Sequence, residues 1–305
     1  MSELYAICQL LNAYKMTKKP VLPSATLASV EVGDPFPVRI IGVLNVSPES
    51  FYPGSVRTSP GELVEAAQAM VSAGADFIDI GAMSTAPYLQ TAIPVEEERD
   101  RLAEAVAVVS QAVAVPVSAD TKRSIPARAA IAAGAKIIND VSGLKNDLAM
   151  ASLVAEARGG LVLMASETSP QAGPPLKRIC AALKESLAIA RRAGIPEERM
   201  VIDPGIGFFR RTGIPWDEWD AQVIRELKEL RCLGRPILVG LSRKSFIGKI
   251  LQQEKPEDRL IGSLAATAIA VYNGAHIIRT HDVGPTREAV RIAERLRPVT
   301  LGERS

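Results

Sequence analysis

Residues 61–82 read GELVEAAQAMVSAGADFIDIGA. The stretch up to Ala75 places its apolar side chains at helical spacing, and Gly74 supplies the left-handed turn with which such a helix ends. From Phe77 the pattern changes to a short β-rich run, FIDIGA, long enough for one buried strand. A helix that hands over directly to a strand is half of a β/α repeat.

The alternation continues outward in both directions. Comparable runs begin at Val38 (VRIIGVLNV), Val115 (VPVSAD), Lys136 (KIINDV), Gly160 (GLVLMA), Arg199 (RMVIDPG), Pro236 (PILVG) and His276 (HIIRTHD), separated by helical segments such as EEERDRLAEAVAVVSQAV and LKRICAALKESLAIARRAG. Roughly eight units in a chain of this length match a TIM (β/α)8 barrel, whereas a doubly wound α/β sheet usually needs fewer strands. No composition break interrupts the repeat. Residues 1–35 therefore read as an N-terminal extension and residues 36–300 as one barrel domain.

Composition bounds the function. With 305 residues and 47% hydrophobic content the chain can bury a large core, and a net charge of +2, from 36 basic and 34 acidic residues, supplies no global field for nucleic acid or a membrane surface. No run approaches transmembrane length. Cys8, Cys180 and Cys232 lack C-x-x-C spacing and read as buried thiols of a reducing compartment. The opening MSELYAICQLLNAYKMTKKP has no basic n-region, so the expected location is cytoplasmic.

In a barrel of this kind reactive groups follow the C-terminal ends of the strands. The runs deliver, in order, Asn45; Ser84 and Thr85; Asp120; Asn139 and Asp140; Asp203; Ser242 to Ser245; and Arg279, His281 and Asp282. Any one of the Asn and Asp residues is also compatible with a turn. Asp120 is the least turn-like, because a carboxylate that emerges within a strand, as in VSADTK, points into the mouth and must find a partner. In GLSRKSFIG an apolar run empties straight into Arg243 and Lys244. Two adjacent cations repel, so the pattern points to an anion arriving between them.

Together GVLNVSPESF, GADFIDIGAMSTAP, VSADT, AGAKIINDVSG, VIDPGIGF, SRKSFIG and RTHDV resemble, in this order, the motifs of the dihydropteroate synthase family, over about Arg39 to Arg297. The resemblance implies a pterin-binding TIM barrel of folate synthesis, commonly dimeric. Its reaction joins 6-hydroxymethyl-7,8-dihydropterin diphosphate to 4-aminobenzoate and releases pyrophosphate with Mg²⁺ present. It implies that Asp120, Asn139, Asp203, Lys244 and Arg279 bind the pterin, with Asp120, Lys244 and Arg279 catalytic. Asn45, Arg279 and His281 would bind the diphosphate, and Asn45 would ligate Mg²⁺. Thr85, Pro87, Phe208, Ser242 and Ser245 would build the acceptor pocket. Ser245 is expected at a helix N-terminus, where backbone N–H groups favour an anion.

The departures from the family pattern lie on the loop and acceptor side. GAMSTAPY stands where the family reads GGESTRPG, so Met83 replaces an acid, Ala86 an arginine and Tyr88 a glycine. MASET replaces an MHMRG-like stretch, Glu49 replaces an Asp, and FRRTGIPWDEWD adds Arg210 and Arg211. One alternative is the same chemistry on a phosphoribosylated aminobenzene, as in methanopterin synthesis. Others are a pterin-dependent methyltransferase, against which SRKSF, Arg279 and His281 argue, and a catalytically silent pterin-binding protein, which the arginine missing at Ala86 leaves open.

Overall fold

The structure, a computed structural model, describes residues 22–47, 59–83, 92–169, 171–210 and 213–297. All eight apolar runs form strands: β3 (Arg39–Asn45), β4 (Phe77–Gly81), β5 (Val117–Asp120), β6 (Ile137–Asp140), β7 (Gly160–Met164), β8 (Met200–Asp203), β9 (Leu238–Gly240) and β10 (Ile277–Thr280). They pair in parallel in the order β8-β7-β6-β5-β4-β3-β10-β9. The ring closes through a lone bridge, Ile202 to Ile237, at the β8–β9 seam. The chain is therefore the expected TIM barrel.

Helices cover the outside: α1 (Pro60–Ser72), α2 (Val95–Ala112), α3 (Ser124–Ala133), α4 (Ala149–Ala157), α5 (Pro175–Arg192), α6 (Trp216–Arg225), α7 (Ser245–Leu251), α8 (Leu260–Tyr272) and α9 (Val283–Leu296). The SPGE sequence starts α1 by a capping box. Glu62 N–H donates to the Ser59 hydroxyl and Ser59 N–H to the Glu62 carboxylate, both at 3.3 Å, with Pro60 at the first helical position. No described helix is long and apolar enough to cross a membrane.

Side-chain alternation then sorts the barrel into layers, since every second residue of a strand faces inward. Ile41, Phe77, Ile137, Val162, Val201, Leu238 and Ile277 share one apolar cluster inside the barrel. Two residues further along six of these strands stand Val43, Asp79, Asn139, Met164, Asp203 and Arg279. The same parity that fills the floor with apolar groups thus delivers Asp79, Asn139, Asp203 and Arg279 to the mouth.

The described part of residues 1–35 is not separate from this core. β1 (Ser24–Leu27) and β2 (Val30–Gly33) form an antiparallel hairpin whose Ala25, Leu27 and Val32 join the inner cluster and plug its N-terminal end. Asp34, just after it, accepts from Arg231 Nη1 at 2.7 Å and lies 3.0 Å from His276 Nε2. Ile237 N–H donates to His276 Nδ1 at 2.9 Å, so Nε2 carries the proton and donates to Asp34. Of the thiols, Cys180 is half-buried but Cys232 is exposed, contrary to the expectation of buried cysteines, and Cys8 lies outside the described residues.

Candidate active site

Arg279 organises the mouth. It stands on β10 between two carboxylates, donating from Nε to Asp79 Oδ2 at 2.7 Å and from Nη2 to Asp120 Oδ2 at 2.8 Å. Asn139 Nδ2 donates to the same Asp79 oxygen at 3.1 Å. The second oxygens, Asp79 Oδ1 and Asp120 Oδ1, are buried with no hydrogen bond among the described residues. A buried acceptor in that state costs free energy until a donor arrives. Strand register brings these groups together, because Asn45 pairs with Gly81, Gly81 with Asp120, and Asp120 with Asn139. A side chain at Gly81 would lie 3.5 Å from Asn45 Oδ1 and 3.8 Å from Asp120 Oδ2, so Asn45 and Asp120 flank that glycine.

Across the mouth, Asp203 Oδ1 accepts from Gly205 N–H at 2.7 Å. Lys244 Nζ donates to the Ile206 carbonyl and sits 4.7 Å from the Phe208 ring centroid. Burial pushes Asp120 up to about 7 despite the opposing charge of Arg279, and raises Asp203 against its Gly205 hydrogen bond and the charges of Lys244 and Arg279. Burial lowers Lys244 to about 8, with Asp203 and Asp220 opposing the fall. Burial, then Arg279, Arg243 and Lys244, bring His281 down to about 3. His281 is thus a neutral imidazole surrounded by cations, an arrangement that suits an incoming anion.

The acceptor-side residues divide. Ser245 opens α7, and its hydroxyl accepts from Arg210 Nη2 at 2.8 Å while the Arg210 guanidinium lies 4.2 Å from the Trp216 ring. Ser242 instead turns its hydroxyl to His281 Nδ1 at 2.9 Å and stands 3.5 Å from Asp282 Oδ2. Thr85 and Pro87, with Ser84, Ala86, Tyr88, Glu49 and Arg211, lie outside the described residues.

The anion expected between Arg243 and Lys244 needs correction. Arg243 is buried, adopts a left-handed φ of 56°, and donates from Nε and Nη2 to Asp282 at 2.9 and 2.7 Å and from Nη1 to the carbonyls of Pro256 and Glu257. Its anion is the chain's own Asp282. The left-handed turn sends neighbouring side chains in different directions, so Lys244 alone faces the mouth.

Asp79 and Asp220 escaped the motif reading. Asp79 lies within FIDIG, which reads simply as a buried strand, although its inward parity from Phe77 marks it. Asp220 lies on α6, away from any strand end. Among the described residues no cluster of His, Cys, Asp and Glu is able to hold a metal by itself. The Asn45 side-chain oxygen is a hard donor of the kind Mg²⁺ accepts, and this ion commonly takes its remaining ligands from water and substrate phosphates. The donor set therefore fits a magnesium ion that arrives with a diphosphate.

A closed barrel with buried carboxylates, an amide, a lysine and cations at its mouth defines an enzyme site for a donor-rich, anion-bearing small molecule. Residues 41–281 match the family described as pterin binding enzyme. A dihydropteroate synthase of Synechocystis sp. is 35% identical over 264 residues, covering 84% of this chain and 89% of that protein. The solved structure of Xanthomonas albilineans dihydropteroate synthase with 4-aminobenzoic acid superimposes with a TM-score of 0.80 at 35% identity, covering 91% of this chain and 99% of that one. The same enzyme in complex with 7,8-dihydropteroate gives a TM-score of 0.78 at 34% identity, covering 91% and 100%. The chain belongs to the pterin-binding enzymes and, among them, to the dihydropteroate synthase family.

Proposed function

We propose that the mouth performs the family's transferase reaction, condensing 6-hydroxymethyl-7,8-dihydropterin diphosphate with 4-aminobenzoate to dihydropteroate and pyrophosphate. The observation that carries the assignment of roles is the Asp79–Arg279–Asp120 network with its two buried carboxylate oxygens lacking donors. An amino-pyrimidine edge is rich in N–H donors and satisfies them, with Asn139 and Asp203 completing the edge and Lys244 the face. The C–O bond to the pterin methylene breaks with the electron pair leaving on diphosphate, beside Arg279, His281 and Asn45. Asp120 offsets positive charge developing on the dihydropterin. The neutral arylamine nitrogen then forms the C–N bond and loses a proton. Mg²⁺, held by Asn45 and phosphate oxygens, would neutralise charge on the leaving group.

Phe208, Ser245 and Arg210 would border the acceptor. Arg210, held against Ser245, supports testing a phosphoribosylated aminobenzene as a second acceptor. A homodimer is part of the same proposal. Its support is the apolar face of α6, α7 and α8, where a groove of about 380 Å³ runs beside exposed Ile250, Leu251 and Ile269. A cytoplasmic location is supported by the free thiols of Cys180 and Cys232.

The test is purified protein with the pterin diphosphate, Mg²⁺ and each arylamine in turn, read by pyrophosphate release. Release that requires 4-aminobenzoate is the expected result. No release with either acceptor, in protein that binds the pterin, would make this a silent binding protein. Sedimentation of the parent and Ile269→Arg tests the dimer, and a parent that sediments as a monomer overturns it.

A further inference from the structure

We propose that Asp220 is a positioning residue for Lys244, holding the turn that carries Ile206 to Phe208 and supplying negative charge that keeps the lysine an ammonium. This rests on the reading above that Lys244 faces the pterin. Asp220 is 1% exposed, on the inner face of α6. Its Oδ1 accepts from Gly207 N–H at 2.9 Å.

The three residues of that turn all act on Lys244. Ile206 offers its carbonyl to Nζ, and Phe208 offers its ring at 4.7 Å. Gly207, between them, has a φ of +82° and presses so close that an added Cβ would lie 3.1 Å from Lys244 Cδ. The middle residue is tied to Asp220, so the carboxylate sets where both flanking partners stand.

Its second oxygen points to the purpose of the charge. Asp220 Oδ2 is buried without a hydrogen bond among the described residues. An asparagine would hold Gly207 equally well without burying a carboxylate, so the hydrogen bond alone does not call for an acid. The charged groups around Lys244 are Asp203 and Asp220, against Arg279 and Arg210; around Asp220 they are Lys244 and Arg210, against Asp217. Burial raises Asp220 to about 6, and it is ionised at neutral pH. The carboxylate is one of two that oppose the loss of the Lys244 proton.

The deciding variant is Asp220→Asn, which retains an acceptor for Gly207 and removes only charge. In protein carrying lysine labelled with ¹³C at Cε, the Lys244 titration midpoint should fall by about one pH unit relative to the parent. The alkaline limb of kcat/KM for the pterin diphosphate should move with it, costing about tenfold at pH 8.5 and little at pH 6.5. Asp220→Ala should lose activity at both pH values, because the turn is released as well. A folded Asn variant with the parent's Lys244 midpoint and a parallel pH profile overturns the proposal. A parent without turnover would sink the catalytic reading instead, and the Lys244 midpoints would still decide the role of Asp220.

Discussion

Asp120 accepts a 2.8 Å hydrogen bond from Arg279, yet burial still holds its pKa at about 7, well above the ordinary 3.8. A group raised in this way favours folding below pH 3.8 and loses that contribution as pH rises through 7. The ionised carboxylate is therefore kept at the expense of stability. Asp120→Asn should raise the melting temperature at pH 8 by about 2 °C or more while weakening dihydropterin binding at least about tenfold. Calorimetry that finds undiminished pterin affinity would remove Asp120 from the site.

His281 supplies a direct reporter of the anion. Pyrophosphate bound beside Arg279 would offset the cations that, together with burial, hold the imidazole down at about 3, so its titration midpoint should rise on binding. The chain has only two histidines, and His276, at the barrel floor, should not respond. Imidazole proton spectra with and without pyrophosphate make the comparison. A His281 signal that ignores saturating pyrophosphate would place the diphosphate elsewhere.

The neighbours Arg243 and Lys244 should separate cleanly under mutation. Arg243→Ala leaves the Asp282 carboxylate without its bidentate partner and should cost about 3 kcal/mol of stability. Lys244→Ala removes a cation whose pKa burial already lowers, so its melting temperature should match or exceed the parent's while pterin binding is lost. Thermal melts together with calorimetry give both readouts. Comparable unfolding of the two variants would contradict this division of labour.

The floor clamp predicts acid sensitivity. Burial alone would raise Asp34, but hydrogen bonds from His276 and Arg231 overcome it and lower the pKa from 3.8 to about 2. That contribution is present above pH 3.8 and lost as pH falls towards 2. His276 is lowered from 6.5 by burial, against Asp34, so its contribution is present above pH 6.5 and declines as pH falls below it. Asp34→Asn should cost about 2 kcal/mol at pH 7, with turnover intact in the folded protein. Its melting temperature should also fall less steeply between pH 4 and 2 than the parent's. Parallel slopes would show that Asp34 is not the group that titrates.

The strands were legible because each is a short apolar run and most are closely followed by polar residues, and all eight begin within a few residues of where the pattern puts them. Arg279 was legible as a polar interruption of IIRT, and Asp120 as a carboxylate ending a strand. Asp79 was not, since one acid inside FIDIG looks the same whether it faces a helix or the barrel interior until parity is counted from Phe77. Arg243 misled for a different reason. Adjacent charges say nothing of the left-handed backbone that parts them, or of Asp282, which lies 39 positions away in sequence. The floor hairpin was missed because four-residue strands near an N-terminus carry too little periodicity to separate from a linker.

The lone bridge between Ile202 and Ile237 makes one seam of the barrel thinly stitched, and the two sides of the site stand on its opposite banks. Asp203 follows Ile202 directly on one bank, while Lys244 follows β9 on the other. On the proposed assignment, a pterin gripped by both would be a suture across the opening. Occupancy and local closure would be a single equilibrium there, so exchange of the Ile202 amide, which donates across the seam to the Pro236 carbonyl at 3.0 Å, should slow in step with ligand saturation, while the fully paired β3–β4 ladder barely changes. Exchange at Ile202 that is indifferent to bound pterin would show that the seam holds without it.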